Sequence, residues 1–318
     1  MRVARYVGDG EVAILEQDPP TCPPGGLLVQ TEACGLCSGE LMSWYMDRKV
    51  PHVLGHEVAG RVVESDNAGF PVGARIFPHH HAPCLKCRFC RMGRFVHCEQ
   101  WRRTKLDPGG MADTFAVGEA NLTDTFRVDD LRPEDAALIE PMACVMKSLR
   151  LAESDAPGQS VVIGLGTMGL MHLLLLPEGS LGYDVNLQRA RFARALDLNA
   201  GPPDEAVAAE TVFVCPGSQA AFEFALRIVR PGGTIAMFAP LPPEQALTVP
   251  QEAYFKDVRI VNSYSCGPTD TAQATTALRN GRIKAEQVCS EFIELEQLPE
   301  RYKLMKAGAI LKPMVVWN

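Results

Sequence analysis

The sequence predicts an α/β protein in two parts: a small β-barrel or sandwich over the first 140 residues, then a doubly wound parallel sheet. Three observations predict it. Short β-like runs separated by Pro/Gly turns fill the first part. Strand-like and helix-like segments alternate through the second. The chain has 318 residues, 47% of them hydrophobic and 22% charged, which is globular in composition and too long for one ordinary core.

The first part is punctuated by Pro19-Pro20, Pro23-Pro24-Gly25-Gly26 and Asp107-Pro108-Gly109-Gly110. Between these turns the runs Leu27 to Thr31, Glu57 to Val63 and Thr114 to Val117 read as strands. Near residue 134 the texture changes. Pro133-Glu134-Asp135 opens an Ala- and Leu-rich helical pattern, broken at Glu140-Pro141 and resumed through Leu151. Ser160 to Ile163 reads as a buried strand and Thr167 to Leu176 as a helix stopped by Pro177. Leu187 to Leu198 is an amphipathic helix, Val212 to Cys215 a strand, Gln219 to Val229 a helix ended by Arg230-Pro231-Gly232-Gly233, and Thr234 to Phe238 a strand. Ser180 to Tyr183 is a poor strand on propensity. From about Thr269 the tail carries more helix and a short last strand, Met314 to Trp317. There is no internal repeat and no low-complexity segment.

Composition narrows the function classes. Lys plus Arg is 31 and Asp plus Glu is 38, a net charge of −7, which argues against a nucleic-acid-binding surface. The most apolar run, Val161 to Leu176, carries three glycines and His172 and falls short of the roughly 18 apolar residues a membrane span needs. The opening MRVARYVGDGE has no apolar core, so no export signal is expected. Eleven cysteines, an odd number, argue against a disulfide scaffold and for metal-binding or catalytic thiols in the cytoplasm.

The sharpest signal is Cys84-x2-Cys87-x2-Cys90-x7-Cys98. Four thiols this close can wrap one tetrahedral ion, and an all-sulfur set leaves no open position, so this zinc is structural. Lys86, Arg88, Arg91 and Arg94 offset the thiolate charge. A second set is scattered: Cys37 in Cys34-Gly35-Leu36-Cys37, His56-Glu57, and Glu140. A mixed S/N/O set suits a catalytic zinc, where one position stays open, but spacing alone does not assemble it. Cys34 and Cys37 also have redox-pair spacing, with nothing thioredoxin-like around them. The third signal is Gly164-Leu165-Gly166-Thr167-Met168-Gly169, a G-x-G-x-x-G between an expected strand and an expected helix. Its glycines allow a tight turn and close approach of a pyrophosphate to the helix N-terminus. Asp184, 20 residues after Gly164, either accepts the adenosine ribose hydroxyls or caps the helix before Leu187; the roles are compatible.

Together these motifs resemble the zinc-containing medium-chain dehydrogenase/reductase family, in the alcohol dehydrogenase superfamily, on the branch of sorbitol, threonine and related polyol dehydrogenases. Gly35-Leu36-Cys37 resembles its catalytic-cysteine loop, Gly55-His56-Glu57 its zinc-binding His-Glu, the four cysteines its structural-zinc lobe, Gly109 to Ala112 the turn after it, and Glu140-Pro141 the branch's Glu-Pro. The resemblance implies a GroES-like β-barrel catalytic domain from residues 1–143 and 265–318, with a Rossmann NAD-binding domain inserted at 144–264. It implies two zinc ions per chain and reversible hydride transfer between a secondary alcohol (polyol, sugar or amino alcohol) or its ketone and NAD. Cys37, His56 and Glu57 would hold the catalytic zinc, with Glu140 as fourth ligand or exchanging with substrate. It further implies a homodimer or homotetramer. Trp44, His79 to His81, Trp101, Arg102 and Arg103 are pocket candidates on the resemblance alone.

The chain departs from that pattern in three places. After Cys37 it reads Ser38-Gly39-Glu40-Leu41-Met42, so the relay hydroxyl expected at 39 and the relay histidine expected at 42 are absent. The helix after Gly169 is cut short at Pro177. About a dozen residues separate Asn199 from Val212, too few for a full crossover, so the Rossmann part is trimmed. An NADPH-dependent reductase without zinc and a non-catalytic dinucleotide sensor are the alternative readings.

Overall fold

Antiparallel pairing builds one part of the molecule and parallel pairing the other. The computed structural model describes residues 1–153 and 158–317. It divides into two compact units, Met1–Ala143 with Cys266–Asn318, and Cys144–Ser265.

In the first unit, β1 (Arg2–Gly8) pairs with β2 (Glu11–Glu16) and with β4 (His52–Val53). The larger sheet uses β3 (Leu27–Gly35), β5 (Glu57–Ser65), β6 (Arg75–Pro78), β7 (Thr114–Val117), β8 (Thr125–Arg127), β15 (Cys289–Ile293) and β16 (Lys312–Val316). Its order is β15-β16-β3-β5-β6-β8, with β7 also on β3. Along β3, Leu27, Val29 and Thr31 are buried while Gln30 is exposed, the alternation of a one-face-buried strand. β3 runs on to Gly35 because β5 pairs with it throughout, from Leu27 opposite Ser65 to Gly35 opposite Glu57. The core of this unit combines Tyr6, Val29, Leu54, Val58, Ile76 and Phe115 with Leu298, Tyr302 and Val315 from the tail.

The second unit holds β9 (Ser160–Ile163), β10 (Leu181–Tyr183), β11 (Ala200–Gly201), β12 (Ala209–Val214), β13 (Val229–Met237) and β14 (Arg259–Asn262), all parallel. Their order, β11-β10-β9-β12-β13-β14, is that of a dinucleotide-binding sheet, with the chain reversing direction of travel between β9 and β12. β10 forms where propensity argued against it. Gly182 lies against Leu165 and Leu173 so closely that a Cβ would fall within 2.8 Å of both, so the missing side chain lets the strand fit under the helix. The short connection after Asn199 contains the two-residue β11 and a single 3-10 turn, Pro203–Glu205, where a full unit has a helix.

Two helix boundaries differ from expectation. The break expected at Glu140-Pro141 falls earlier, between the short helix Pro133–Ala136 and the helix Ile139–Ala152. Pro141 sits in that helix's first turn, where its missing N–H has no intrahelical acceptor to lose. The helix from Leu187 ends at Ala195 rather than Leu198, because Asp197 takes a left-handed conformation, φ 61°. Among the described residues, no helix is long and apolar enough to cross a membrane.

Candidate metal centres and nucleotide loop

The four-thiol lobe is closed by its own chain. The Sγ atoms of Cys84, Cys87, Cys90 and Cys98 lie within 4.8 Å of one another, and Cys87 Sγ is 3.5 Å from Cys90 Sγ. A zinc tetrahedron of thiolates has edges of about 3.8 Å, so the residues fit that ion. The Cys87 N–H donates to Cys84 Sγ and the Cys84 N–H to Cys98 Sγ, both at 3.3 Å. Backbone N–H groups of Lys86 and Cys87 hold the Cys84 thiol down at about 6, because they favour its thiolate. Trp101 is buried against this lobe and packs against His81, ring centroids 3.9 Å apart and planes tilted by 31°. Arg103 is exposed and pairs with Glu99, and Arg102 is exposed. The structure thus gives Trp101 a packing role and Arg103 a surface ion pair.

The mixed set forms at the β3–β5 junction. Gly35 and Glu57 are register partners, so Cys37, two residues past β3, meets His56 and Glu57 at the start of β5. One ligand atom from each of Cys37, His56 and Glu57 lies within 4.8 Å of the others. Cys37 caps the 3-10 turn Ser38–Leu41, its Sγ accepting from the Gly39 N–H. Glu40 is buried beneath: its Oε1 accepts from the Gly55 N–H at 2.8 Å and sits 3.3 Å from His56 Nδ1. Burial opposes the Glu40 charge, but the His56 ring and the Gly55 N–H outweigh it and hold the carboxyl at about 2. A carboxylate on Nδ1 leaves Nε2 as the nitrogen that can ligate a metal. Behind Glu57, the Lys312 ammonium donates to its carboxylate and to the Leu36 carbonyl, the latter at 2.8 Å.

Glu140 lies in a different set. Its carboxylate groups with His79 and Cys266, ligand atoms again within 4.8 Å of one another, while its charge also feels His56 and Glu57. His80, next to His79, packs its ring 4.7 Å from that of His56. Trp44 is half-buried beside Tyr45.

The glycine loop follows β9 and opens the helix Thr167–Leu175, with Gly166 at its N-cap. Gly164 has φ +86°, and a Cβ on Gly169 would fall 1.8 Å from the Gly164 carbonyl oxygen, a contact with backbone that only glycine avoids. A loop of this shape at a helix N-terminus suits a pyrophosphate; the expected contacts are Gly164, Gly166, Thr167, Met168 and Gly169. Asp184, buried after β10, accepts from the Leu165 and Asn186 N–H groups, both at 2.7 Å. The helix Leu187–Ala195 is capped by Asn186, not by Asp184. Each Asp184 oxygen keeps a lone pair for a ribose hydroxyl. Arg189 approaches Asp184 to 3.8 Å.

Sequence reasoning missed Glu40 as the partner of His56, Lys312 as the partner of Glu57, and Cys266 and Asp124 altogether. The one local signal was the three-residue spacing of Cys37 and Glu40, a capping-box spacing; the other partners are far apart in the chain.

Residues 23–127 match the alcohol dehydrogenase GroES-like domain. Among curated relatives, the chain is 29% identical over 320 residues to the D-altritol 5-dehydrogenase of Agrobacterium fabrum, covering 94% of each protein. It is 25% identical to the L-galactonate-5-dehydrogenase of Escherichia coli, covering 87% of this chain and 86% of that one. Among solved structures, a dehydrogenase from Sinorhizobium meliloti 1021 described as zinc-binding, bound to NADP, superposes with TM-score 0.87 at 23% identity over 99% of both chains. The chain thus carries an alcohol dehydrogenase GroES-like domain at residues 23–127 and is similar along most of its length to the two curated dehydrogenases just named.

Proposed function

We propose that this protein is a zinc-dependent dehydrogenase that moves a hydride between a secondary alcohol, of the polyol, sugar or amino-alcohol class, and NAD. The observation that carries the reading is the clustered thiol–imidazole–carboxylate set of Cys37, His56 and Glu57, in a chain that also holds a glycine loop on a parallel sheet of dinucleotide-binding order. The names of the relatives support the substrate class. The split after Ala143 and after Ser265 supports residues 1–143 and 265–318 as the catalytic domain and 144–264 as the NAD-binding domain.

Cys37 and His56 supply a thiolate and an imidazole nitrogen, and Glu40 fixes the tautomer of His56. Lys312 holds Glu57 in place. Zinc in this set supplies a Lewis acid that lowers the pKa of the substrate hydroxyl. Glu140, whose carboxylate groups with His79 and Cys266 rather than with these three, acts on the set through its charge. The glycine loop and Asp184 bind and orient the dinucleotide, and a buried carboxylate at Asp184 disfavours a 2′-phosphate. An odd number of cysteines, eleven, fits a cytoplasmic location. The edge strand β14, with Tyr254, Phe255 and Tyr264 63–80% exposed nearby, favours self-association into a homo-oligomer.

The test is NAD reduction by zinc-loaded protein across a panel of polyols, sugars and amino alcohols, with Cys37→Ala as control. Turnover with at least one panel member, abolished in a folded Cys37→Ala, is expected. A zinc-loaded, NAD-binding wild type inert across the panel in both directions overturns it.

A further inference from the structure

We propose that His79, Glu140 and Cys266 form a third metal site, for a zinc-like divalent ion, in addition to the four-thiol lobe and the Cys37–His56–Glu57 set. The three residues come from distant segments: the end of β6, the first turn of the helix Ile139–Ala152, and the residue two before the helix Pro268–Arg279. All three are buried, His79 and Cys266 fully and Glu140 to 5% exposure.

Two geometric facts distinguish this set from a chance meeting of polar side chains. His79 Nε2 is 3.5 Å from Cys266 Sγ. Zinc–sulfur and zinc–nitrogen bonds at a tetrahedral angle span an edge of about 3.5 Å, so the pair already has the spacing of two ligands on one ion. The other ring nitrogen, Nδ1, is 2.6 Å from Asp124 Oδ2. Asp124 is itself 1% exposed, and its second oxygen accepts from Thr271 Oγ1 at 2.6 Å. A carboxylate on Nδ1, anchored in turn, is the arrangement that orients metal-binding histidines and aims Nε2 at the ion. It is the arrangement Glu40 makes with His56.

The donor types agree. One imidazole, one thiolate and one carboxylate make a borderline-soft set that suits zinc and leaves a fourth position for water. A divalent ion also balances the two negative charges that Glu140 and Cys266 bring into a buried site. The site belongs to the first unit and does not depend on the dehydrogenase reading.

The test is zinc stoichiometry by mass spectrometry on the full reduced chain, equilibrated with zinc and desalted. Wild type is expected to exceed both Cys266→Ala and His79→Gln by one zinc per chain, with the other equivalents retained. Cobalt(II)-loaded wild type is expected to show stronger thiolate charge-transfer absorption than Cys266→Ala, by the share of one thiolate among the six. Equal metal content in wild type and the folded variants overturns the proposal and leaves a thiol–imidazole hydrogen bond. If neither variant folds, alkylation mapping of the wild type decides. Cys266 labelling that rises on chelation supports the site, and chelator-insensitive labelling overturns it. NAD-linked turnover measured alongside keeps the two readings apart: turnover with no third equivalent sinks only the metal site, and a third equivalent without turnover sinks only the dehydrogenase.

Discussion

Glu40 and Asp124 do the same work in two places, each a buried carboxylate that fixes one nitrogen of an imidazole so that the other faces a ligand set. Beside Glu40 lies the residue that most separates this chain from the family pattern. A Cβ on Gly39 would meet only Cys37 Sγ, at 3.5 Å, so the position has room, and Ser38 is exposed. A water in that room can carry the substrate proton. Ser38→Ala should therefore lose less than about tenfold in single-turnover hydride transfer, and Gly39→Ser should be tolerated. A positioned relay group is worth about 10²–10⁴-fold, so a loss of that size in zinc-loaded Ser38→Ala would make Ser38 the relay. Asp184 carries the second prediction at this scale. Asp184→Ala should narrow the preference for NAD over NADP in kcat/KM, because the nearby Arg189 then meets a 2′-phosphate unopposed. An unchanged ratio would leave Asp184 as a backbone anchor only.

At the scale of elements, the closed four-thiol geometry of the lobe predicts that its folding is coupled to zinc. Cys87→Ala should lose one zinc per chain and lower Tm, read by metal analysis and calorimetry. The helix Thr167–Leu175 carries a different liability. His172 is fully buried, its Nδ1–H donates to the Met168 carbonyl at 2.7 Å, and its ring lies 5.1 Å from Phe213 and 5.0 Å from Phe238. Burial pushes it down to about 4, against about 6.5 in the unfolded chain. Between those values the unfolded state binds the extra proton, so stability is present above about pH 6.5 and falls as pH drops toward 4. By pH 5 the loss is on the order of 2 kcal/mol. His172→Leu should flatten the fall in Tm between pH 7 and 5, and an unchanged slope would assign it to other groups. The elements that sequence revealed are those with local signals: the thiol spacing, the glycine loop, the strand–helix alternation. β10 was hidden because its fit depends on what Gly182 packs against. The early end of the helix at Ala195 was hidden because Asp197 adopts the left-handed state, which marks a helix end most plainly at glycine and is less expected at Asp.

Across the whole molecule, the mixed site is completed by residues far from it in the chain. Lys312, on the last strand, and Glu57 form a buried pair 255 residues apart in sequence. His79 and Cys266 are 187 apart. No pattern in a window of sequence encodes such pairs, which is why the candidate ligands Cys37 and His56-Glu57 had motifs to mark them and their partners did not. Lys312→Met should destabilise the protein by about 3–5 kcal/mol in denaturant titrations, because it strands a buried carboxylate. Adding Glu57→Gln should recover much of that, and independent, additive losses would show that the pair is not coupled.

The placement of β16 on β3 also sets an order of events on the ribosome. Residues 144–265 are contiguous and can fold as they emerge. The barrel cannot close until its final strand leaves the exit tunnel. At roughly 5–20 residues per second, Cys37, His56 and Glu57 wait on the order of 10–50 s before Lys312 reaches them. Throughout that interval the nascent chain presents reduced thiols and an unfinished sheet edge, so chaperone occupancy and a reducing milieu matter most before translation ends.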